Sequence, residues 1–223
     1  MHLIGRRGGG NERSEIRELS SSCHRLAVTS IERDRLAEQV IVLRAQLGAR
    51  DAWAWLVAHH DARLLFYLRR LLGSSHDAED VRQDVWLTAI RKLHTLEDAG
   101  AFQSWLYQIA RRRAYSLLSR SRREVMVPED SFEDVAVIAA DADELTFAPE
   151  TAAAVHAALD TLSPAHREVL TLRFLSGLRY EAIATVLECA VGTVRSRLHY
   201  AKLALRAAVT EDPATLAMES DHE

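Results

Sequence analysis

Two stretches of helical periodicity joined by a short turn constrain the fold of this chain more than any other feature. The first runs from Asp77 to Leu93, and the second from about Ala101 to Arg123. At 100° of rotation per residue, each stretch collects its apolar residues on one arc and most of its charged residues on the other. This pattern predicts two amphipathic α-helices that pack through their apolar faces.

One apolar residue of the first stretch lies outside its apolar arc. The arc itself consists of Ala78, Val81, Val85, Trp86, Ala89, Ile90 and Leu93. Leu87 falls instead on the polar face, between Asp84 and Arg91, while Ser75 or Asp77 is the expected N-cap. A single exposed leucine is usually only tolerated. An apolar residue ringed by polar ones is also typical of a small protein-docking face, so both interpretations stay open.

The second stretch combines arginines with tyrosines. Its apolar stripe is Phe102, Trp105, Leu106, Ile109, Ala110 and Leu117. Arg113 falls inside this stripe, so its side chain is expected to extend outward or find a partner. We expect the other side to be exposed, namely Ser104, Tyr107, Gln108, Arg111, Tyr115 and Arg122. Residues 111–123 contain six arginines and no acidic residue. A basic run is most often a solvated surface, but interleaved tyrosines favour nucleic acid, since rings stack on unpaired bases while arginines hold phosphates.

Charge is distributed unevenly, and the net charge of −4 conceals this. Residues 124–150 contain nine acidic residues and no basic one. This segment is long for a loop inside a compact domain, so we expect a linker between domains at 31–123 and 151–208. It is either a solvated spacer or, because its charge opposes DNA, a DNA mimic or a segment lying in a partner's basic channel. Residues 1–30 are expected to be disordered, and 209–223 form an acidic tail.

Helical periodicity precedes the two stretches as well. An apolar stripe at 4-3-4 spacing comprises Leu36, Val40, Leu43 and Leu47. Gly48 should end that helix, and Asp51 is the candidate cap of a second helix that stops at Gly73. Within the second helix, His59 and His60 are expected on the surface.

The last part of the chain has the pattern of a helix-turn-helix. Ser163 and Pro164 predict a helix start, with Val169, Leu170 and Phe174 on its buried side. A short helix ending at Leu187, a turn and a basic helix follow. The residues of the basic helix that should face inward are Val194, Leu198, Ala201 and Leu205. Those left for solvent or a ligand are Arg195, Ser196, His199, Tyr200, Lys202 and Arg206. A second, basic helix of this kind enters the major groove, although a purely structural helical hairpin has the same periodicity.

The chain offers little for catalysis, metal binding or membrane insertion. Adjacent histidines lie about 100° apart on a helix, so His59 and His60 do not easily face one metal. No H-E-x-x-H sequence, glycine-rich phosphate loop or cysteine pair occurs. Cys23 and Cys189 fit a reduced, cytoplasmic protein, and no apolar run has the length of a membrane span. We expect no catalytic residue, metal or cofactor.

Three motifs resemble those of extracytoplasmic-function (ECF) sigma factors, in the sigma-70 family of bacterial RNA polymerase. They are DAEDVRQDVW at residues 77–86, FQSWLYQIAR at residues 102–111 and VGTVRSRLH at residues 191–199. A helix-turn-helix alone is weak evidence, because many regulators end in one. Three motifs in this order are specific, and the resemblance extends over residues 42–207.

The resemblance implies an all-α fold of two small helical domains, regions 2 and 4, with no sheet and a homeodomain-like or winged-helix-like second domain. Region 2 would bind the clamp of the largest polymerase subunit and open the −10 promoter element. Region 4 would bind the flap of the second subunit and recognise the −35 element. An anti-sigma factor is a further candidate partner, and no membrane is involved.

The same resemblance assigns candidate site residues. For polymerase binding they are Asp80, Gln83, Asp84, Leu87 and Arg91. For the −10 element they are Gln103, Tyr107, Arg111, Arg112, Tyr115 and Arg122, together with the loop at 97–103. For the −35 element they are Arg195, Ser196, Arg197, His199, Tyr200 and Lys202.

The chain departs from the family pattern at a few positions. Glu188 and Ala190 stand in the turn where glycine and proline are usual. A non-glycine residue in a left-handed turn is strained, so a slightly different or looser turn is expected. Arg112, Ser116 and Tyr200 also differ, so the promoter sequence is not predictable. The alternative is a helix-turn-helix regulator that acts without core polymerase, although a duplex binder would not need the stacking surface of residues 107–123.

Overall fold

The computed structural model describes residues 32–124 and 152–210, and every regular element within these ranges is helical. The first group comprises α1 (32–46), α2 (Arg50–Leu72), α3 (Ser75–Lys92) and α4 (Phe102–Glu124). Two short 3₁₀ turns, Leu93–Thr95 and Ala99–Ala101, join α3 to α4. The expected all-α fold is confirmed. The expected linker, N-terminal extension and acidic tail lie outside the described residues.

The second group is built from shorter helices. It comprises α5 (Ala152–Thr161), α6 (Pro164–Leu170), a π-helical turn (Thr171–Leu175), α7 (Tyr180–Leu187) and α8 (Val191–Thr210). The Ser163 hydroxyl accepts a hydrogen bond from the backbone N–H of His166, and Pro164 opens α6 as predicted. Gly177 ends the π-helical turn at φ 74°, a conformation that favours glycine.

Two predicted N-caps in the first group are wrong. Ser74, rather than Ser75 or Asp77, caps α3, because its hydroxyl accepts from the backbone N–H of Asp77. Asp51 does not cap α2. Its carboxylate forms an ion pair with Arg44 at 2.6 Å, and this link across the turn lowers the pKa of Asp51.

The core of the first group lies between α2, α3 and α4. Fully buried side chains from all three helices meet there, including Leu56, Leu64, Leu68, Val85, Phe102 and Leu106. Asp61 in α2 fixes the orientation of α3, because its carboxylate accepts from Trp86 Nε1 at 2.8 Å and from Arg82 Nη1 at 2.7 Å. α3 therefore presents a defined face to solvent.

The packing of α1 contradicts two sequence-based expectations. The stripe of Leu36, Val40, Leu43 and Leu47 is exposed, whereas Val42 and Ala45 are buried. The helix is rotated relative to the predicted orientation because polar contacts form on its buried side. Gln46 Nε2 donates to the carbonyls of Leu93 and Leu96 at 2.9 and 2.7 Å. Buried His60, which was expected at the surface, pairs with Glu38 at 2.8 Å.

Ile90 in α3 and Phe174 in the π-helical turn were both expected in the core, and both are substantially exposed. Ile90 lies at the edge of its apolar arc, beyond the reach of α2 and α4. The wider π-helical turn displaces Phe174 from the direction that a continuous α-helix would give it.

The two groups are in direct contact. α4 packs against α7, and α2 packs against α6 and the π-helical turn. Within the second group, α8 contacts α5, α6 and α7. The arginine-rich helix α4 is therefore covered on part of its polar side by the second group.

Candidate polymerase and nucleic-acid interfaces

The predicted polymerase-binding residues share one exposed face of α3. They are Asp80, Gln83, Asp84, Leu87 and Arg91. Leu87 is 50% exposed, and Ile90, one helical turn further, is 55% exposed. Residues three apart are neighbours on a helix surface. The face is therefore a pair of apolar side chains surrounded by charged and amide groups.

On α4, the structure contradicts the expected exposure of Tyr107. The side chain is fully buried, its ring centroid lies 5.2 Å from that of Tyr67, and burial raises the pKa of Tyr107 to about 12. Ser104 is buried as well. Periodicity failed here because α2 and the second group cover a side of α4 that is polar in sequence. Arg113 behaves as expected for an arginine within an apolar stripe, because it is exposed and donates to the Thr88 hydroxyl.

Four other predicted −10 residues lie along the contact between the two groups: Gln103, Arg111, Arg112 and Tyr115. Gln103 Nε2 donates to the Ser176 carbonyl at 3.0 Å, and Arg112 Nη2 donates to Glu188 Oε1 at 2.9 Å. A further hydrogen bond joins Gln108 Nε2 to the Thr185 carbonyl at 2.9 Å. The side chain of Arg122 lies outside the described residues. The surface of α4 that is the candidate for binding single-stranded DNA therefore lies in the interface between the two groups of helices.

The centre of this interface is the carboxylate of Glu168 in α6, whose side chain is only 5% exposed. It accepts hydrogen bonds from Tyr67 Oη at 2.8 Å, Arg111 Nε at 3.0 Å and Tyr115 Oη at 3.3 Å. The Arg111 guanidinium also lies 4.6 Å from the centre of the Tyr115 ring. Burial and the adjacent Glu168 charge raise the pKa of Tyr67 well above its ordinary value, so this hydroxyl remains a donor.

Sequence reasoning did not identify Glu168 as a functional residue. The available signal was a single acidic residue beside Val169 and Leu170 on the buried side of an apolar helix. Buried carboxylates require hydrogen-bonding partners. The sequence could not show that these partners come from α2 and α4.

The helix-turn-helix has the predicted inward face, since Val194, Leu198, Ala201 and Leu205 are all buried. Among the predicted −35 residues, Arg195 is exposed, and Arg197, His199, Tyr200 and Lys202 are half-buried. Ser196 is buried, which contradicts its expected exposure. Its hydroxyl donates to the Thr193 carbonyl at 3.1 Å, so it requires no contact with solvent.

The turn between α7 and α8 is left-handed although the residue that forms it is not glycine. Glu188 lies at φ 54° and ψ 44°, and the backbone N–H of Cys189 donates to the Ala184 carbonyl. The turn places α8 against α7, and Arg195 is exposed near the start of α8.

Comparison with known proteins identifies the family. Residues 56–124 match the family model Sigma-70 region 2, and residues 152–205 match Sigma-70, region 4. The RNA polymerase sigma-H factor of Pseudomonas aeruginosa is 35% identical over 180 residues, covering 75% of this chain and 91% of that relative. The chain belongs to the ECF sigma factors. It directs promoter-specific transcription initiation by RNA polymerase, and the resemblance of its three motifs is confirmed.

Other relatives of this sigma factor agree. The ECF RNA polymerase sigma-E factor of Escherichia coli K12 is 32% identical over 180 residues, covering 77% of this chain and 94% of that protein. RpoE of Bartonella quintana, solved with the anti-sigma factor NepR, has 28% identity and a TM-score of 0.57 over 74% of this chain and 99% of that one. CnrH, solved with the cytosolic domain of CnrY, shares the fold at a TM-score of 0.58, with 24% identity over 79% of this chain and 99% of that one.

Neither a metal-binding cluster nor a membrane-spanning helix occurs in the described residues of the sigma factor. Over 32–124 and 152–210, no three His, Cys, Asp or Glu side chains are arranged to hold a metal ion. No helix in those same ranges has the length and apolarity to cross a membrane. The His59 ring stacks on the Trp55 ring, with 4.6 Å between the ring centroids.

Proposed function

We propose that residues 31–123 act as region 2 and residues 151–208 as region 4, with 124–150 as an acidic linker. The exposed face of α3 binds the clamp of the largest polymerase subunit. The pair of exposed apolar residues, Leu87 and Ile90, supports this proposal most directly. Apolar residues surrounded by polar ones are the usual composition of a docking site's centre and rim.

The polar side of α4 and the loop at 97–103 open the −10 element. Arg111 and Tyr115 support this role, because a guanidinium against a tyrosine ring suits a phosphate beside an unstacked base. Gln103 and Arg112 extend the same surface, and Arg122 is assigned to the −10 element by the family resemblance alone. Tyr107 is inaccessible in this conformation and would contact DNA only after the second group had moved away from α4.

The first turns of α8 recognise the −35 element, and region 4 also binds the flap of the second polymerase subunit. Arg195 is exposed at the N-terminal part of the helix, which reaches base edges in this docking geometry. His199 and Tyr200, whose rings meet edge to face at 5.3 Å, lie one turn further along. Arg197 and Lys202 supply phosphate contacts, and Ser196 positions the helix from its buried side.

The sigma factor works in the cytoplasm with core RNA polymerase and promoter DNA, and it contributes neither catalysis nor a cofactor of its own. An anti-sigma factor is its expected regulator. In the test, purified core polymerase transcribes a library of promoter fragments with and without the sigma factor. The DNA bound by the polymerase is then sequenced. Transcripts that depend on both the sigma factor and paired upstream elements are expected. Tight binding of duplex DNA without core enzyme would indicate a helix-turn-helix regulator instead.

A further inference from the structure

Glu168 belongs to region 4, yet its carboxylate accepts hydrogen bonds from three residues of region 2. Tyr67, Arg111 and Tyr115 donate to it across 101, 57 and 53 positions of sequence. On α6 its immediate neighbours are Val169 and Leu170, which are buried. A buried carboxylate that lost these donors would have a large desolvation cost. Glu168 therefore favours close contact between the two regions.

The same three donors are suited to a nucleic-acid phosphate. A carboxylate and a phosphodiester both present two oxygen atoms that share one negative charge, and arginine and hydroxyl donors bind either group. Tyr115 is also 39% exposed, so a base next to a bound phosphate would have a ring on which to stack. Arg111 remains a cation here: burial opposes its charge, but Glu168 outweighs that effect and raises the pKa of Arg111.

We propose that Tyr67, Arg111 and Tyr115 form an anion cradle for a backbone phosphate of the opened promoter strand, and that Glu168 occupies this cradle as an internal phosphate mimic. The proposal rests on the proposed role of α4 and extends it to Tyr67 and Glu168. In the conformation described here, the anion cradle is closed. Single-stranded DNA enters it only when α6 leaves α4.

A second carboxylate supports the same conclusion. Glu188 pairs with Arg112 at 2.9 Å, so region 4 neutralises both of the neighbouring arginines Arg111 and Arg112. Glu188 does so from a left-handed backbone conformation that glycine would adopt more easily. Unlike Glu168, this residue is well exposed, and its contribution to closure is correspondingly small.

The test uses the full-length chain without polymerase and a fluorescent single-stranded oligonucleotide of mixed sequence. Glu168→Gln keeps the shape of the side chain but removes the charge that pairs with Arg111. Because the described conformation is closed, this variant should bind the oligonucleotide about tenfold more tightly than the unaltered chain. Glu188→Gln is the matched control at the same interface, and it should change the affinity far less. Equal affinity of Glu168→Gln and Glu188→Gln would overturn the proposal.

A second comparison separates the anion cradle from simple opening. Tyr67→Phe, added to Glu168→Gln, removes one donor and keeps the ring. The double variant should bind the oligonucleotide about threefold or more weakly than Glu168→Gln alone, because one hydrogen bond to a charged group is lost. If the double variant binds as tightly as Glu168→Gln alone, Tyr67 is not part of a phosphate site and the proposed cradle is wrong.

Thermal unfolding of each variant shows whether region 4 stays folded. If Glu168→Gln lowers the stability of region 4, Gln108→Ala is the second variant. It leaves Glu168 intact and weakens the interface by removing the hydrogen bond to the Thr185 carbonyl. Gln108→Ala should raise the affinity for the oligonucleotide by a smaller factor than Glu168→Gln does. An unchanged affinity would contradict the proposal that the contact between the regions closes the anion cradle.

Promoter-dependent transcription with core enzyme tests the proposed function separately. If the sigma factor initiates transcription but Glu168→Gln does not bind the oligonucleotide more tightly, only the proposed anion cradle is contradicted.

Discussion

Arg112 in α4 donates a 2.9 Å hydrogen bond to the carboxylate of Glu188, in the left-handed turn between α7 and α8. The hydrogen bond and the charge of Arg112 lower the pKa of Glu188. The turn of the helix-turn-helix is thereby joined to the helix proposed to open the promoter. One residue carries both a strained backbone and a contact between regions, and two substitutions separate these effects.

Glu188→Gly should raise the melting temperature of the chain relative to Glu188→Gln. Both variants lose the carboxylate, but only glycine relieves the positive φ of 54°. The measurement is thermal unfolding followed by circular dichroism at low and high salt. A Glu188→Gly variant that melts below Glu188→Gln would show that the turn is not strained by its side chain.

Leu87→Arg should abolish association with core polymerase and leave the helix content unchanged. Leu87 is half exposed, so its replacement disturbs little packing, whereas loss of a central apolar contact in an interface costs about 2 kcal/mol or more. Leu36→Arg is the control, because Leu36 on α1 is also exposed and lies outside the proposed docking face. Pull-down with core enzyme distinguishes them. Equal losses in both variants would place the dock elsewhere.

Arg195→Ala and Lys202→Ala should weaken promoter binding in different ways. The first should cost about 1–3 kcal/mol on the correct upstream element and little on a scrambled one. The second should weaken binding to both and reduce the slope of log affinity against log salt by about one unit. Holoenzyme binding to matched and scrambled templates across a salt series measures both effects. If Arg195→Ala loses equally on the two templates, α8 does not recognise the sequence.

Glu38→Gln should lower the free energy of unfolding near neutral pH. Burial opposes ionisation of Glu38, but its close contact with His60 at 2.8 Å and the charge of His60 outweigh burial and lower the pKa of Glu38. A carboxyl whose pKa is lower in the folded state stabilises the fold above its unfolded pKa of 4.5, and this contribution disappears as the pH falls through the folded pKa.

Urea unfolding at a series of pH values measures that dependence. The difference between the unaltered chain and Glu38→Gln should be present near neutral pH and shrink as the solution becomes more acidic than pH 4.5. Glu32→Gln, an exposed position on the same helix, is the control and should change stability little at any pH. A constant difference for Glu38→Gln would mean that its effect comes from packing rather than ionisation.

Local sequence determined the helices and most of their inward faces. Ser163 and Pro164 begin α6, Gly73 ends α2, and Leu198 lies in the core side of α8, all as periodicity and cap chemistry predict. The family resemblance, in which glycine is usual at position 188, indicated that Glu188 would be strained, and its φ is indeed positive. The three family motifs were sufficient to identify a sigma factor.

Tertiary structure alone decided what covers each polar face. Tyr107 and Ser104 lie on the polar side of α4 in sequence, yet α2 and the second group bury them. Leu36 on α1 is exposed because Gln46 directs the opposite face of that helix inward. Periodicity shows which side of one helix is apolar, but burial of a polar side depends on donors and acceptors supplied by distant segments. Glu168 is buried because Tyr67, Arg111 and Tyr115 supply those donors.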